Sequence, residues 1–311
     1  MYKVIKINDN NSWNSQIEKS PQYSLFCSTL FLDGLKTQFE KYFIYDDKDL
    51  VMAFCTAIFD DKNKKLFYKD FHYNQSFYFF KNFNKERSLI NYQLKLTSFL
   101  IDFILKNFKK IRLSLHYSIK DIRSFLFYNF NNNKNFKIEL KYSFIINLLQ
   151  YKDFTDYLNN IRPSRRQDYK YFFQDEYKIL YDNNFEYFKN LYKIKFPNET
   201  KKNYQSVFFL IENLIKQNLC RINFAKKHNK FFACTVFIFD KKSSYYLHGF
   251  SINNNEKFSI LTSLILDQIR FSFLNHIENV DMCGANSPKR SDFKSGFDGK
   301  LKHFFEISYE Q

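Results

Sequence analysis

The chain has 311 residues, enough for two ordinary domains that each bury a core. Hydrophobic residues make up 45% and charged residues 26%, which excludes a disordered or collagen-like chain. The formal net charge of +16 favours polyanionic partners, but it is spread along the chain with no dense basic tail. The 41 Phe and 23 Tyr residues, with many Lys, Asn and Ile, share A/T-rich codons, so base composition accounts for much of the aromatic and basic excess.

The N-terminus, MYKVIKINDNNSWNS, lacks the apolar core of a signal peptide, and no run of about 18 apolar residues occurs elsewhere. The five cysteines, Cys27, Cys55, Cys220, Cys234 and Cys283, are odd in number, far apart and without a C-x-x-C pair. Neither a disulfide framework nor a structural metal is expected, and Cys27, Cys55 and Cys234 lie in apolar runs as small hydrophobes. A reducing, cytoplasmic location is the expectation.

From Lys41 the chain reads as strands: KYFIYDD, LVMAFCTAIFD, and the aromatic run KLFYKDFHYNQSFYFF at 65–80, with a break at 60–63. A helix follows from Ser88, with Ile90, Leu94, Thr97, Ile101, Ile104 and Phe108 on one face. Ile111, Leu113 and Leu115 then alternate with Arg112, Ser114 and His116, a strand with period two. A helical segment over 153–218 comes next, broken or kinked at Pro163, with a short strand YKILYD and amphipathic stretches near 184–195 and 203–217. Three short strands over 221–250, a helix from about Lys257 and a strand at Asn279–Cys283 repeat the earlier order. Meander, helix and strand therefore occur twice, which predicts two similar α/β domains, 1–150 and 151–311.

Four of the five glycines, Gly249, Gly284, Gly296 and Gly299, fall in the last quarter of the chain. Three belong to VDMCGANSPKRSDFKSGFDGKLKHFFEI, read as a buried strand, a polar loop with Lys289, Arg290, Ser291 and Asp292, then Phe293-Lys294 before a returning strand. Glycine clustering in so glycine-poor a chain means special backbone geometry or close approach to a ligand. A solvated loop whose basic residues face water is the alternative.

The order strand–Asp281–x–x–Gly284–loop–Phe293-Lys294-Ser295-Gly296-Phe297-Asp298-Gly299 resembles the C-terminal signature of FemAB-like transferases, where Phe-Lys is followed by Phe-Gly-Gly. One glycine of that pair is Asp298 here. DIRSFLFYNFNNNKNFKIELKYSFIINL (121–148) is similar to a stretch of GNAT-like proteins of bacterial polysaccharide clusters, with Lys141-Tyr142-Ser143 where Arg-Tyr-Thr is common. NNIRPSRRQDYK resembles the helix that opens the second domain in this group.

The resemblance implies tandem GNAT-like domains of the α/β class, each a mixed β-sheet flanked by helices. It implies an acyltransferase that moves an acetyl, other acyl or aminoacyl group onto an amine of a cell-envelope glycan precursor. The donor would be aminoacyl-tRNA or acyl-CoA, with no metal. The partners would be a nucleotide- or lipid-linked glycan precursor, tRNA and the inner face of the membrane.

On this resemblance Lys294 is the catalytic candidate, holding phosphate or oxyanion charge rather than acting as a base. Lys36, Arg165 and Arg166 are candidates for the acceptor's diphosphate, with plain surface charges as the alternative; Tyr246, Phe293 and Asp281, the last as orienter of the acceptor amine, are candidates for substrate binding. A solvated Lys294 remains the alternative, and Asp281 is also suited to capping the backbone N–H groups of the loop. His248, beside Gly249, could face a cleft, but a lone histidine there fits a structural role.

Several signals are absent. SINNNEKF (251–258) and NFNKERS (82–88) contain no glycine where GNAT enzymes cradle the coenzyme A diphosphate on backbone N–H groups, which disfavours a donor held that way. The six histidines are scattered with no metal-ligand spacing, and no Gly-x-Ser-x-Gly, Walker or dinucleotide fingerprint occurs. The competing reading is a binding module that grips a nucleotide sugar, tRNA or an anionic surface without catalysis.

Overall fold

The computed structural model describes residues 1–35, 37–58, 73, 75–81, 83–130, 135–182, 184–252 and 257–310, with backbone only at 202. Lys36, the break at 60–63, most of the aromatic run at 65–80, and residues 253–256 lie outside the described residues. The chain forms two compact units, Met1–Lys141 with His303–Gln311, and Tyr142–Lys302. The expected division at 150/151 differs from this, because the last strand of the chain returns to the first unit.

In the first unit, β1 (Tyr2–Lys6), β2 (Phe39–Asp46), β3 (Asp49–Ala57) and β4 (Ser76–Phe79) form an antiparallel sheet in that order. Helix α1 (Asn10–Ile17) is capped by Asp9, whose carboxylate accepts from the N–H groups of Asn11 and Ser12, and it leads through short turns to α2 (Thr29–Leu32). Trp13 of α1 stacks on Phe43 and donates its indole N–H to the Cys27 carbonyl at 2.9 Å. Of the stripe predicted for helix α3 (Glu86–Asn107), Ile90 and Leu94 are half-buried and Phe108 caps the helix from outside it. The helix buries Thr97, Ile101 and Ile104 of that stripe, and adds Leu96 and Leu100, which the spacing did not include. Those side chains share a core with Ile44, Met52, Phe54 and Phe77 of the sheet. Burial of each such side chain stabilises the fold by about 1.5–3 kcal/mol.

Strand β5 (Lys110–Ser114) carries the predicted alternation, with Ile111 and Leu113 buried. Helix α4 (Arg123–Phe127) precedes β6 (Lys137–Asn147), within which the unit boundary falls.

The second unit begins with α5 (Phe154–Asn160) and α6 (Pro163–Gln174). Pro163 does not kink a helix but starts one: it occupies the first turn of α6, where its missing N–H costs nothing. Then come β7 (Lys178–Tyr181), α7 (Phe185–Lys195), α8 (Lys201–Lys216), β8 (Cys220–Lys227), β9 (Lys230–Phe239) and β10 (Ser243–Ser251). Helix α9 (Ile260–Leu274), β11 (Asn279–Asp281), α10 (Pro288–Ser295) and β12 (Lys300–Glu310) complete the chain. Helix α10 stands where the sequence read as an irregular loop.

The sheet of this unit runs β6-β11-β10-β9-β8-β7, antiparallel except for the parallel pair β10/β11. Ile265, Leu266 and Ile269 of α9 pack on Phe237 and Tyr246 on one face. Phe188 and Tyr192 of α7 pack around Phe250, with Tyr192 5.7 Å from it, on the other. The final residues of β12 pair with β5, Glu306 opposite Ser114 through Glu310 opposite Lys110, which places them in the first unit.

Candidate active site

The site forms where β10 and β11 part. Their parallel pairing covers only Ser243–Tyr245 against Asn279–Asp281. Beyond it β10 continues along β9 with a bulge between Tyr246 and His248, while β11 ends. The chain after β11 stays with β6 instead, through Met282 N–H to the Phe144 carbonyl at 2.9 Å and Ala285 N–H to the Tyr142 carbonyl at 2.7 Å. Cys283 and Gly284 take positive φ, 47° and 33°, and so turn the backbone away from β10.

Asp281 fixes that turn. Its buried carboxylate accepts the Cys283 N–H at 2.7 Å and the Ser143 hydroxyl. This is the backbone-capping alternative for Asp281, as distinct from the orientation of a substrate amine.

Lys294 reaches the same turn from α10. Its ammonium donates to the carbonyls of Met282 at 2.6 Å, Gly284 at 3.0 Å, and Cys283. An ammonium has three N–H donors, so all of them are taken. The side chain is buried, and desolvation pulls its pKa down to about 8, against the opposing pull of Cys283 and Asp281. Lys294 is therefore neither solvated nor equipped with a free donor for an oxyanion.

Across the gap, Tyr246 lies 5.2 Å from the Lys294 Nζ, measured to the ring centre, and stacks on Phe237 at 5.0 Å. Burial pushes its phenol pKa well above the usual range. The phenol crosses over Gly249, where an added Cβ would stand 1.7 Å from the tyrosine oxygen. Gly249 is thus required by close approach of a side chain.

Arg290 is the residue that sequence reasoning did not single out. It stands one helical turn before Lys294, on the same face of α10, and its charge acts on both Tyr246 and Lys294. Arg290 is exposed and has no ion pair among the described residues. The signal was present in Ser287-Pro288, an N-cap followed by proline at the first helical position, which places residues 290 and 294 together.

Arg165 and Phe293 belong to the base of α10. The Arg165 guanidinium lies 4.5 Å from the Phe293 ring centre and pairs with Asp168 at 2.8 Å. Its Nε–H has no partner among the described residues, and a Cβ on Gly296 would come within 2.9 Å of that nitrogen. Arg162 ties α6 to α10 through Asp292 at 2.9 Å and the Ser295 hydroxyl at 2.8 Å. Arg166 turns away from the site: it donates to the Asn159 and Ile161 carbonyls at 2.7 and 2.9 Å, closing the C-terminus of α5.

Asp298, at the missing glycine of the signature, has φ 56° and accepts the Tyr151 hydroxyl at 2.6 Å. Aspartate tolerates this left-handed conformation better than most residues. His248 packs edge-on to Tyr192, on the α7 side, and burial lowers its pKa to about 4. Among the described residues no cluster of His, Cys, Asp or Glu could hold a metal ion. No helix of the described residues is long and apolar enough to cross a membrane.

The structure thus gathers Tyr246, Asp281 and Lys294 around one turn, and pairs Phe293 with Arg165 at the base of α10. No protein-family model and no curated protein matches the sequence. Solved structures do resemble it. FemX has a TM-score of 0.67 at 11% identity, covering 97% of this chain and 96% of its own. A conserved protein of unknown function from Bacteroides thetaiotaomicron has a TM-score of 0.60 at 8% identity, with both chains fully covered. The tandem GNAT protein from the clavulanic acid biosynthesis pathway has a TM-score of 0.56 at 9% identity, covering 99% of this chain and 98% of its own. The fold is the tandem GNAT fold, of the kind found in FemX and in GNAT acetyltransferases.

Proposed function

We propose that the chain is an N-acyltransferase that moves an acetyl, other acyl or aminoacyl group onto an amine of a cell-envelope glycan precursor, a sugar nucleotide or a muropeptide. The observation that carries this reading is the opening between β10 and β11, lined by Tyr246 and overlooked by Arg290, a cation with no ion pair among the described residues, in a chain that matches FemX over nearly its whole length. The acceptor amine attacks the carbonyl carbon of a thioester or aminoacyl ester, the C–S or C–O bond breaks, and the proton the amine gives up is balanced by the one the leaving thiolate or alkoxide takes up. Arg290 is suited to meet charge on the acceptor's diphosphate or on the developing oxyanion. The Tyr246 phenol, kept neutral by burial, is suited to hold the leaving sulfur or oxygen by a hydrogen bond.

The donor is aminoacyl-tRNA or acyl-CoA. Glycine-free residues 251–258 argue against a coenzyme A diphosphate cradled there. The net charge of +16 suits tRNA or a lipid-linked acceptor at the inner membrane face, and the free cysteines suit a reducing, cytoplasmic setting. The test is incubation of the purified chain with amino-sugar nucleotides or muropeptides and each donor in turn, followed by mass spectrometry. A new amide on one acceptor supports the reading. No product with any pair, but measurable affinity for a nucleotide sugar or tRNA, would replace it with the binding-module reading. One observation favours that second reading: the donors of Lys294 are all spent inside the fold.

A further inference from the structure

We propose that Lys294 is a positioning residue, an ammonium wedge that holds β10 and β11 apart by gathering three consecutive carbonyls at the end of β11. The three oxygens belong to Met282, Cys283 and Gly284, and all point at one nitrogen. Successive carbonyls of an extended strand alternate in direction, so a convergent set requires the chain to leave the strand conformation. It does so at Cys283 and Gly284, both with positive φ. Cys283 is not glycine, and its left-handed backbone carries a strain that something must offset. Two side chains do this: Asp281 accepts the Cys283 N–H, and Lys294 donates to the carbonyls.

The wedge is also in the right place. Nζ sits between the turn after β11 and the Tyr246 ring of β10, at the point where the strands cease to pair. Burying an ammonium is costly, and the enclosing carbonyls replace its lost water. A lysine that served as a charge for substrate would keep a donor free, and this one has none. The shape of the cleft, rather than charge within it, is what Lys294 supplies. The consequence for turnover rests on the acyltransferase reading; the wedge itself does not.

The experiment is amide hydrogen exchange on Lys294→Ala and Lys294→Arg, read at Cys283 and Ala285, with β8 as internal control. Loss of one charged hydrogen bond corresponds to about tenfold or more in local opening. Exchange is expected to rise at least that much at both positions in both variants, because a planar guanidinium cannot occupy a compact ammonium site. Exchange in β8 should stay unchanged. In Lys294→Ala, n-propylammonium should restore protection, since it replaces the deleted atoms, while tetramethylammonium, which has no N–H, should not. Unchanged exchange in both variants, a rise shared equally by β8, or equal rescue by tetramethylammonium would overturn the proposal. If Lys294→Ala does not fold, Lys294→Arg alone decides. Failure of the wild-type chain to acylate any amine would remove the functional reading and leave this result standing.

Discussion

Gly249→Ala is the sharpest probe of the site, because it adds one carbon where the structure leaves no room. The new Cβ would lie 1.7 Å from the Tyr246 oxygen, 2.6 Å from Cζ and 2.8 Å from Cε2. Non-bonded atoms settle at about 3.5–4.0 Å, so the phenol must move by roughly 2 Å. The ring cannot simply slide, as it is buried, stacked on Phe237 and flanked by Lys294. Overpacking costs about 1–3 kcal/mol, and loss of the aromatic pair adds about 0.5–1.5 kcal/mol. The expected destabilisation is therefore ~1.5–4.5 kcal/mol, or roughly 3–18 °C in Tm for a unit of this size. Urea and thermal melts of Gly249→Ala, Tyr246→Ala and the double variant measure it. The alanine should cost no more than about 0.5 kcal/mol once the tyrosine is gone, because the two positions are coupled only through the clash. A penalty of the same size in both backgrounds, or none in either, would refute the placement of the phenol over Gly249.

Arg290→Ala should lower transfer by about 10²–10³-fold if Arg290 meets transition-state charge, whereas Lys289→Ala, on the exposed start of α10, should stay near wild type in the same assay. Arg166→Ala should cost about 1–2 kcal/mol in a denaturant melt and leave substrate affinity unchanged, since its two short bonds close α5. His116 is buried and its pKa is lowered from 6.5 to about 3 by desolvation, so the folded chain keeps it neutral while the unfolded chain takes a proton below pH 6.5. The stability it contributes is complete above pH 6.5 and is lost as pH falls toward 3, by up to about 1.4 kcal/mol per pH unit. His116→Asn, which keeps an acceptor for the Ser118 N–H, should flatten that slope in melts taken between pH 6.5 and 4.

The helices and strands with regular apolar spacing were legible in the sequence. The stripe of α3 and the alternation of β5 are set by local periodicity, which burial then rewards. The first 40 residues were not legible, because β1 and the short helices after it are held by single anchors such as Trp13 and Asp9 rather than by a repeating pattern. The signature around Lys294 drew attention to the turn after β11, but residue type could not reveal which cation had a partner. Lys294 and Arg290 look alike in sequence. One is enclosed by three carbonyls and the other stands in solvent, a difference set by the left-handed turn at Cys283. Arg165 and Arg166 differ in the same way, adjacent in sequence but turned to different neighbours by the pitch of α6.

The return of the last strand has a consequence for the order of assembly. Lys110 of β5 meets Glu310 of β12 across 200 residues of intervening chain. The second unit, by contrast, is one uninterrupted stretch from Tyr142 to Lys302 and can condense as soon as it has been synthesised. The first unit emerges earlier yet must wait, with the edge of β5 unpaired and much of its apolar core in place, until the ribosome has delivered residues 306–310. Loop closure over that distance is slow, so the first unit to be made is the last to be finished, and the exposed strand edge is the stage of its biogenesis most open to mispairing.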